Sequence, residues 1–373
     1  GCQILIAKEG KIFFNKSYGF HTYDKKIVVN NSDVYDIASI TKIASTVPLL
    51  MQMVDKGDLN LDDELGKYLK LDSTNKEHLI IREILAHQAG LYPWIPFYQQ
   101  TLVKDSVSGL MQLRDTLYSK EFSKEFPIKV ADNIYLHYSY PDSIIEQIIA
   151  SELLEKKEYR YSDLGYYLLK QIIENKYGEA ISTIGSNKFY SKLGMENLGY
   201  LPLLRIIEER IVPTEDDFLY RSQLLKGYVH DMGAAMQGGT GGHAGLFSNS
   251  NDLAKLMQMY LQNGEYAGER YLSEEVVREF TKCQFPDNKN RRGAGFDKPA
   301  LFDIKGGPAS ENASQEGFGH TGFTGTLVWA DPKTQIVYVF LSNRIHPDST
   351  NKKLLTMDVR TNIMDIIFKS IND

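Results

Sequence analysis

"VYDIASITKIAST", residues 34–46, decides the fold. A short apolar entry leads into a helix on which Ile40, Ile43, Val47, Leu50 and Val54 recur at steps of three and four, a stripe that faces a core. On the same helix Ser39 and Lys42 stand three residues apart, so their side chains share a face one turn from each other. A hydroxyl and an amine paired at the start of a buried helix call for a chemical reason. The proline at 48 frees the carbonyl of Ala44 and predicts a kink there rather than a stop.

Working outward, residues 3–18 read as a hairpin. The runs "ILIA" and "IFF" flank "KEGK", whose Glu9-Gly10 pair suits a tight turn. The other end of the chain mirrors it: "GTLVWA" and "QIVYVFLS" flank "DPKT", and "MDVRTNIMDIIFKSI" carries Val359, Ile363, Ile366 and Ile367 at helical spacing. Between the ends lie "IIREILAHQAGL", read as a helix ending near Gly90, and "NDLAKLMQMYLQNG", closed by Gly264. Long polar connections occupy residues 92–135 and 200–245, where loops of that length line a site or move. The expectation is an α/β (α+β) protein of one domain over 1–373. Its sheet lobe comes from both termini, about 1–60 and 265–373, and a large, mostly helical insertion fills about 61–264.

The 373 residues are 42% hydrophobic and 24% charged with a net charge of −6, the balance of a soluble globular chain with ample core. Lysine and arginine are interspersed with acids, so no nucleic-acid footprint and no basic membrane helix is indicated, and no apolar run approaches the length of a membrane span. Cys2 and Cys283 form neither a zinc knuckle nor a disulfide framework, and Cys2 reads as a core residue. The eight histidines show no HExxH spacing, so no catalytic metal and no cofactor is expected. The glycine-rich "GGTGGHAG" lacks the G-K-[ST] of a phosphate cradle.

Two further stretches give the Ser39–Lys42 pair its meaning. "YRYSDLGYYLL" places Tyr161, Ser162 and Asp163 before an apolar helix, and "FGHTGFTGTLVWADP" places His320, Thr321 and Gly322 at the start of a strand. In order and setting these resemble the serine β-lactamase and penicillin-binding protein family, in its class C branch with esterase and D-aminopeptidase relatives. S-x-x-K stands as "SITK", Y-x-N as "YSD" and K-T-G as "HTG", with "LAHQAGL" and "GTGGHAGLFS" as further landmarks. The resemblance covers nearly the whole chain and implies the β-lactamase/transpeptidase-like fold. It also implies a serine hydrolase acting through an acyl-enzyme on an ester, amide or cell-wall peptide. The alternatives are a penicillin-binding protein that is acylated and turns over slowly, and a ligand-sensing module on the same fold.

By that resemblance Ser39 is the nucleophile and Lys42 helps to take its proton, while Tyr161 is the second proton carrier. Burial and the helix dipole are expected to lower the pKa of Lys42, and nearby positive charge to favour the phenolate of Tyr161. The backbone N–H of Ser39 and, by resemblance, that of Phe323 on the edge strand form the oxyanion hole. Gly322 is expected where a side chain would crowd the acyl group, and His320 and Thr321 face the substrate as donors. His243 either borders the cleft or makes a structural hydrogen bond, and His87 reads as a helix-end residue favourable against the dipole.

Two departures bear on substrate: the family's lysine is His320 and its asparagine is Asp163. A mostly neutral histidine gives a substrate carboxylate less pull than a lysine, so efficient β-lactam hydrolysis becomes less expected than that of another ester or amide. If His320 reads substrate charge, preference for a carboxylate should rise as pH falls through the histidine range. Otherwise Arg344 of "SNRIHP" is the anion-recognising candidate. Asp163 is expected either to hold His320 protonated or to pair with Lys42. Partners are thus a small-molecule or peptide substrate. By resemblance there is also an N-terminal glycosidase domain fused in relatives, an expectation that fits a start in mid-strand and a bacterial envelope location.

Overall fold

The computed structural model describes residues 1–106, 109–301 and 306–372. Five strands, β1 (Cys2–Lys8), β2 (Lys11–Tyr18), β3 (Phe318–Thr321), β4 (Leu327–Asp331) and β5 (Ile336–Ser342), form one sheet in the order β3-β4-β5-β1-β2. All four pairings are antiparallel, and β1 joins the two ends of the chain by pairing with β5, Cys2 opposite Ser342 through Lys8 opposite Ile336. The N-terminal hairpin turns at Glu9 and Gly10, both in the left-handed region with φ 51° and 74°, as a two-residue primed turn requires.

The sheet is covered on both faces, and the alternation of side chains sorts its strands between two cores. On β5, Val337, Val339 and Leu341 join the main core, whereas Ile336, Tyr338 and Phe340 join a second one. β4 divides in the same way: Val328 and Ala330 against Leu327 and Trp329. The second core is closed by the C-terminal helix through Met364, Ile367 and Phe368. Across the main core lie helix α1 (Val47–Asp55), helix α2 (Leu164–Tyr177) and helix α3 (Ser250–Leu261), the last packed on β4, β5 and β1. Helix α3 begins at Asn249, whose side chain accepts from the N–H of Asp252 at 2.9 Å.

The insertion is built from short helices joined by loops and small two- and three-stranded sheets. The helix expected to run to Gly90 spans only Ile81–Leu85, because His87 adopts a left-handed φ of 56° that ends it. No helix among the described residues is long and apolar enough to cross a membrane.

Ile40, Ile43, Val47 and Leu50 are fully buried between the sheet and the insertion, as their periodicity predicts. The disturbance expected at Pro48 takes the form of a π-helical turn over Lys42–Thr46, after which α1 starts with Pro48 in its first turn. The carbonyls loosened there find hydroxyl partners: Tyr190 donates to Ala44 at 3.0 Å and Tyr260 to Ile43 at 2.7 Å. The catalytic-helix candidate is thereby pinned from both sides.

Candidate active site

Ser39 sits just before this helix, after Ala38 with a left-handed φ of 46°. That strained residue is held by Asp36, whose carboxylate accepts the N–H of Ala38 at 2.8 Å and of His230 at 2.7 Å. Burial raises the pKa of Asp36 to about 6 against those two bonds. The sharp backbone turn leaves the N–H of Ser39 without an acceptor among the described residues.

The second segment of the site is the loop after β3. Gly322 donates to Thr326 at 2.9 Å and Gly325 to Gly322 at 3.0 Å, so residues 322–326 fold tightly back. Thr324 and Thr326 donate their hydroxyls to the carbonyls of Asp36 (2.7 Å) and Ile37 (3.3 Å), which sets this loop in register with the strand before Ser39. A Cβ on Gly322 would stand 2.5 Å from the Ile37 carbonyl and 2.2 Å from Thr326 Oγ1. A side chain there would therefore crowd the segment that leads to Ser39.

Phe323 lies two residues beyond the end of β3, not on the edge strand as expected. Its N–H also has no acceptor among the described residues. Its carbonyl is gripped by Arg344, from Nε at 3.2 Å and Nη2 at 2.6 Å, and its ring lies between the Arg344 guanidinium (5.0 Å) and the His230 ring (5.0 Å, 10° between planes). The remaining donor of Arg344 serves the carbonyls of Ser349 and Asn351. Arg344 thus holds the loop with most of its donors on backbone carbonyls while it borders the cleft.

Lys42 links the hydroxyl to a carboxylate. Its Nζ donates to Ser39 Oγ at 3.0 Å, to Asp163 Oδ1 at 2.6 Å and, more weakly, to the His243 carbonyl at 3.4 Å. Lys42 is fully buried, and burial would depress its pKa. The Asp163 carboxylate and Tyr161 outweigh that, so the ammonium is held above its ordinary range. The expected neutral amine is therefore corrected: the resting site holds a Lys42–Asp163 ion pair. This also settles which partner Asp163 takes.

Tyr161 differs as well. Its ring lies 4.9 Å from Lys42 Nζ and 5.2 Å from the Arg292 guanidinium, and its buried hydroxyl finds no partner at full hydrogen-bonding geometry among the described residues, although it lies close enough to Lys42 to favour the ammonium. Burial raises its pKa more than the two cations lower it, so the resting group is a phenol and not the expected phenolate. Behind it His87 stacks at 4.3 Å and accepts the N–H of Ser162 on Nδ1. Burial and the charges of Arg292 and Lys42 push the pKa of His87 well down. Neutral and packed behind the site, it is no helix-end cation.

His320 is buried, with both ring nitrogens engaged. Arg292 Nη1 lies 3.3 Å from Nε2, which must accept, so the proton is on Nδ1 and goes to the Thr321 carbonyl at 2.6 Å. Burial and then Arg292 lower its pKa to about 3. His320 is neutral as expected, yet it does not face the substrate as a donor. Thr321 lines the cleft. The preference for a carboxylate-bearing ester over its methyl-capped analogue is accordingly expected to stay flat between about pH 5 and pH 9. A rise through the histidine range, read from the ratio of kcat/KM values, would contradict this protonation state.

The sequence gives no local sign of the cations beside "HTG". Residues 291–297 run along β3 through Asp297, which exchanges backbone hydrogen bonds with Gly319 at 2.7 and 3.0 Å. This brings Arg291 and Arg292 to the cleft wall around buried Asp297, at 2.8 Å and 3.4 Å. Two guanidiniums against one carboxylate leave one net positive charge beside His320. A bridge to β3 would have revealed them, but "NRRGAGFD" has no strand-like alternation. His243 both borders the cleft and makes structural contacts: its Nε2 meets Asp231 at 2.8 Å, its ring stacks on Tyr167 at 4.3 Å, and its carbonyl receives Lys42.

These residues border one cleft of about 1130 Å³ that runs from Ser39, Tyr161 and Asp163 past Arg291 and Arg292 to Trp94 and Phe218. A hydroxyl beside an ammonium, two free N–H groups and a basic wall in one cleft describe a hydrolase site of the β-lactamase and peptidase type. The chain belongs to the β-lactamase family, whose model, "Beta-lactamase", matches residues 1–359. A curated relative from Escherichia coli (strain K12), named "Putative D-alanyl-D-alanine carboxypeptidase", is 30% identical over 370 residues, covering 92% of this chain and 78% of its own. Among solved structures, a penicillin-binding protein homologue from Caulobacter crescentus aligns with a TM-score of 0.65 at 16% identity, over 94% of this chain and 88% of its own. A class C β-lactamase from Rhodobacter sphaeroides gives 0.62 at 16%, over 98% and 94%. Those likenesses bear on the fold.

Proposed function

We propose that the protein is a serine acyl-hydrolase that forms an acyl-enzyme at Ser39 and prefers a substrate with a carboxylate near the scissile carbonyl, as on a peptide ending in D-alanine. The observation that carries this reading is the chain Ser39 Oγ–Lys42 Nζ–Asp163 at 3.0 and 2.6 Å, between two unpaired N–H groups and the basic wall of Arg291 and Arg292. A carbonyl seated beside Ser39 would place its oxygen between the N–H groups of Ser39 and Phe323, where charge develops as Oγ attacks. The name borne by the Escherichia coli relative supports a D-alanyl peptide as the substrate class, and with it an exported, cell-envelope setting. The test is turnover and intact mass with D-alanyl-D-alanine peptides, D-aminoacyl amides, esters and penicillins. Neither a mass shift nor turnover with any of them would overturn the reading.

A second reading, acylation with slow release, is favoured by one observation. Burial keeps Tyr161 a phenol at rest, so it is not poised as the base for the deacylating water. A persistent adduct with a penicillin would select it.

The basic wall has its own test. Arg291 is part-exposed, with Nε and Nη2 on Asp297. In Arg291→Gln, Asp297 keeps Arg292, so the fold should hold. Loss of a charge-assisted contact of about 1.5–3 kcal/mol should cut the carboxylate preference roughly 10- to 100-fold in kcat/KM while leaving the methyl-capped ester nearly unchanged. Equal losses on both esters would make Arg291 merely structural.

A further inference from the structure

Within the hydrolase reading above, one of the two departures from the family's motifs touches Lys42 directly, the aspartate at the asparagine position of Y-x-N. We propose that Asp163 is the proton acceptor of the acylation step, with Lys42 serving as the relay between it and Ser39.

The geometry is a continuous path. Asp163 Oδ1 is 2.6 Å from Lys42 Nζ, which is 3.0 Å from Ser39 Oγ. Asparagine could accept a hydrogen bond from the lysine but could not take its proton; aspartate can do both. The difficulty it resolves is that an ammonium cannot deprotonate a serine, and in this site Lys42 rests as an ammonium. The neighbours offer no substitute. The rings of Tyr161 and Tyr166 lie 4.9 and 5.2 Å from Nζ, and both phenols are protonated at rest. His87 and His320 are neutral, with Arg292 behind them. Asp231 is held by His243, Asp297 by Arg291 and Arg292, Glu215 by His230, and Asp36 by two backbone N–H groups. Asp163 is the carboxylate that touches Lys42.

The step balances without any co-reactant. Lys42 gives one proton to Asp163, leaving a neutral amine beside a neutral acid. Ser39 Oγ then bonds to the substrate carbonyl carbon as its proton passes to Lys42 and the carbonyl π electrons move to the oxygen held by the two N–H groups. On collapse the oxygen lone pair re-forms the carbonyl, the bond to the leaving group breaks, and Lys42 protonates that group. Asp163 finally returns its proton to Lys42 and the ion pair is restored. A substrate that displaces water from the cleft favours the first transfer, because removing solvent weakens an ion pair relative to its neutral form.

The experiment is the pH dependence of Ser39 labelling by a fluorophosphonate, measured as a second-order rate in the intact chain and in Asp163→Asn. If Asp163 accepts the proton, the parent labels at pH 7 without first losing a proton to solvent. In Asp163→Asn the acceptor becomes the amine alone, which has lost the carboxylate that held its proton on and keeps the burial that drives it off, so labelling at pH 7 falls about 10-fold and recovers toward the parent by about pH 10 as the amine loses its proton. Recovery at high pH also requires a folded site, so it separates this outcome from misfolding. Labelling at pH 7 that is equal or faster in Asp163→Asn, or a loss that alkaline pH does not restore, overturns the relay and leaves the hydrolase reading standing on the parent's labelling. Absence of labelling in the parent at every pH overturns both.

Discussion

Ser39→Ala is expected to lose fluorophosphonate labelling entirely and to reduce turnover by roughly 10⁶-fold, the scale on which removing a nucleophile from a working acyl-transfer site is felt. What remains is the binding and oxyanion contribution of the cleft. The change should leave the fold intact, because Ser39 Oγ makes no capping contact and accepts only from Lys42, which keeps Asp163. Its stability cost is about 1 kcal/mol, the worth of one hydrogen bond. A melting curve within a few degrees of the parent, together with no label, is the expected pair of results. Labelling that persists in Ser39→Ala would move the nucleophile elsewhere and remove the basis of the proposed function.

Lys42→Arg is expected to slow acylation by roughly 10²- to 10⁴-fold, the range attributed to general acid–base catalysis. The guanidinium preserves the charge beside Asp163 but does not release a proton near neutral pH, so it can neither relay nor accept. Since Lys42 is buried without solvent contact, the larger head must also be accommodated, and the melting temperature should be read beside the rate. A folded variant with near-parent acylation would show that the lysine is an electrostatic prop. The proton path would then run through Tyr161, whose ring stands beside Lys42.

The three motifs were legible because each is local. Residues 39–42, 161–163 and 320–322 carry their identity within a few positions, and helical spacing or a following strand supplies the setting. The sheet was legible for the same reason, through alternation in the two terminal hairpins. What escaped depends on tertiary approach. Arg291 and Arg292 reach the cleft only because Asp297 pairs with Gly319, and nothing within "NKNRRGAGFDK" foretells that. The charge states failed through balance, not through omission. Burial and the Asp163 charge near Lys42 were both visible in the sequence, but which of them wins depends on a 2.6 Å contact between residues 121 positions apart. For Tyr161 the nearby cations were anticipated, and complete burial reversed their effect.

The hydroxyls of Thr324 and Thr326 meet carbonyls 288 and 289 positions earlier in the chain, and β1, already paired with β2, gains its second partner only when β5 exists. On the hydrolase reading proposed above, a chain whose last strand has not yet docked would lack both the second N–H group and the fixed backbone on which Ser39 presents its hydroxyl, and covalent labelling would count only the molecules whose two ends have met.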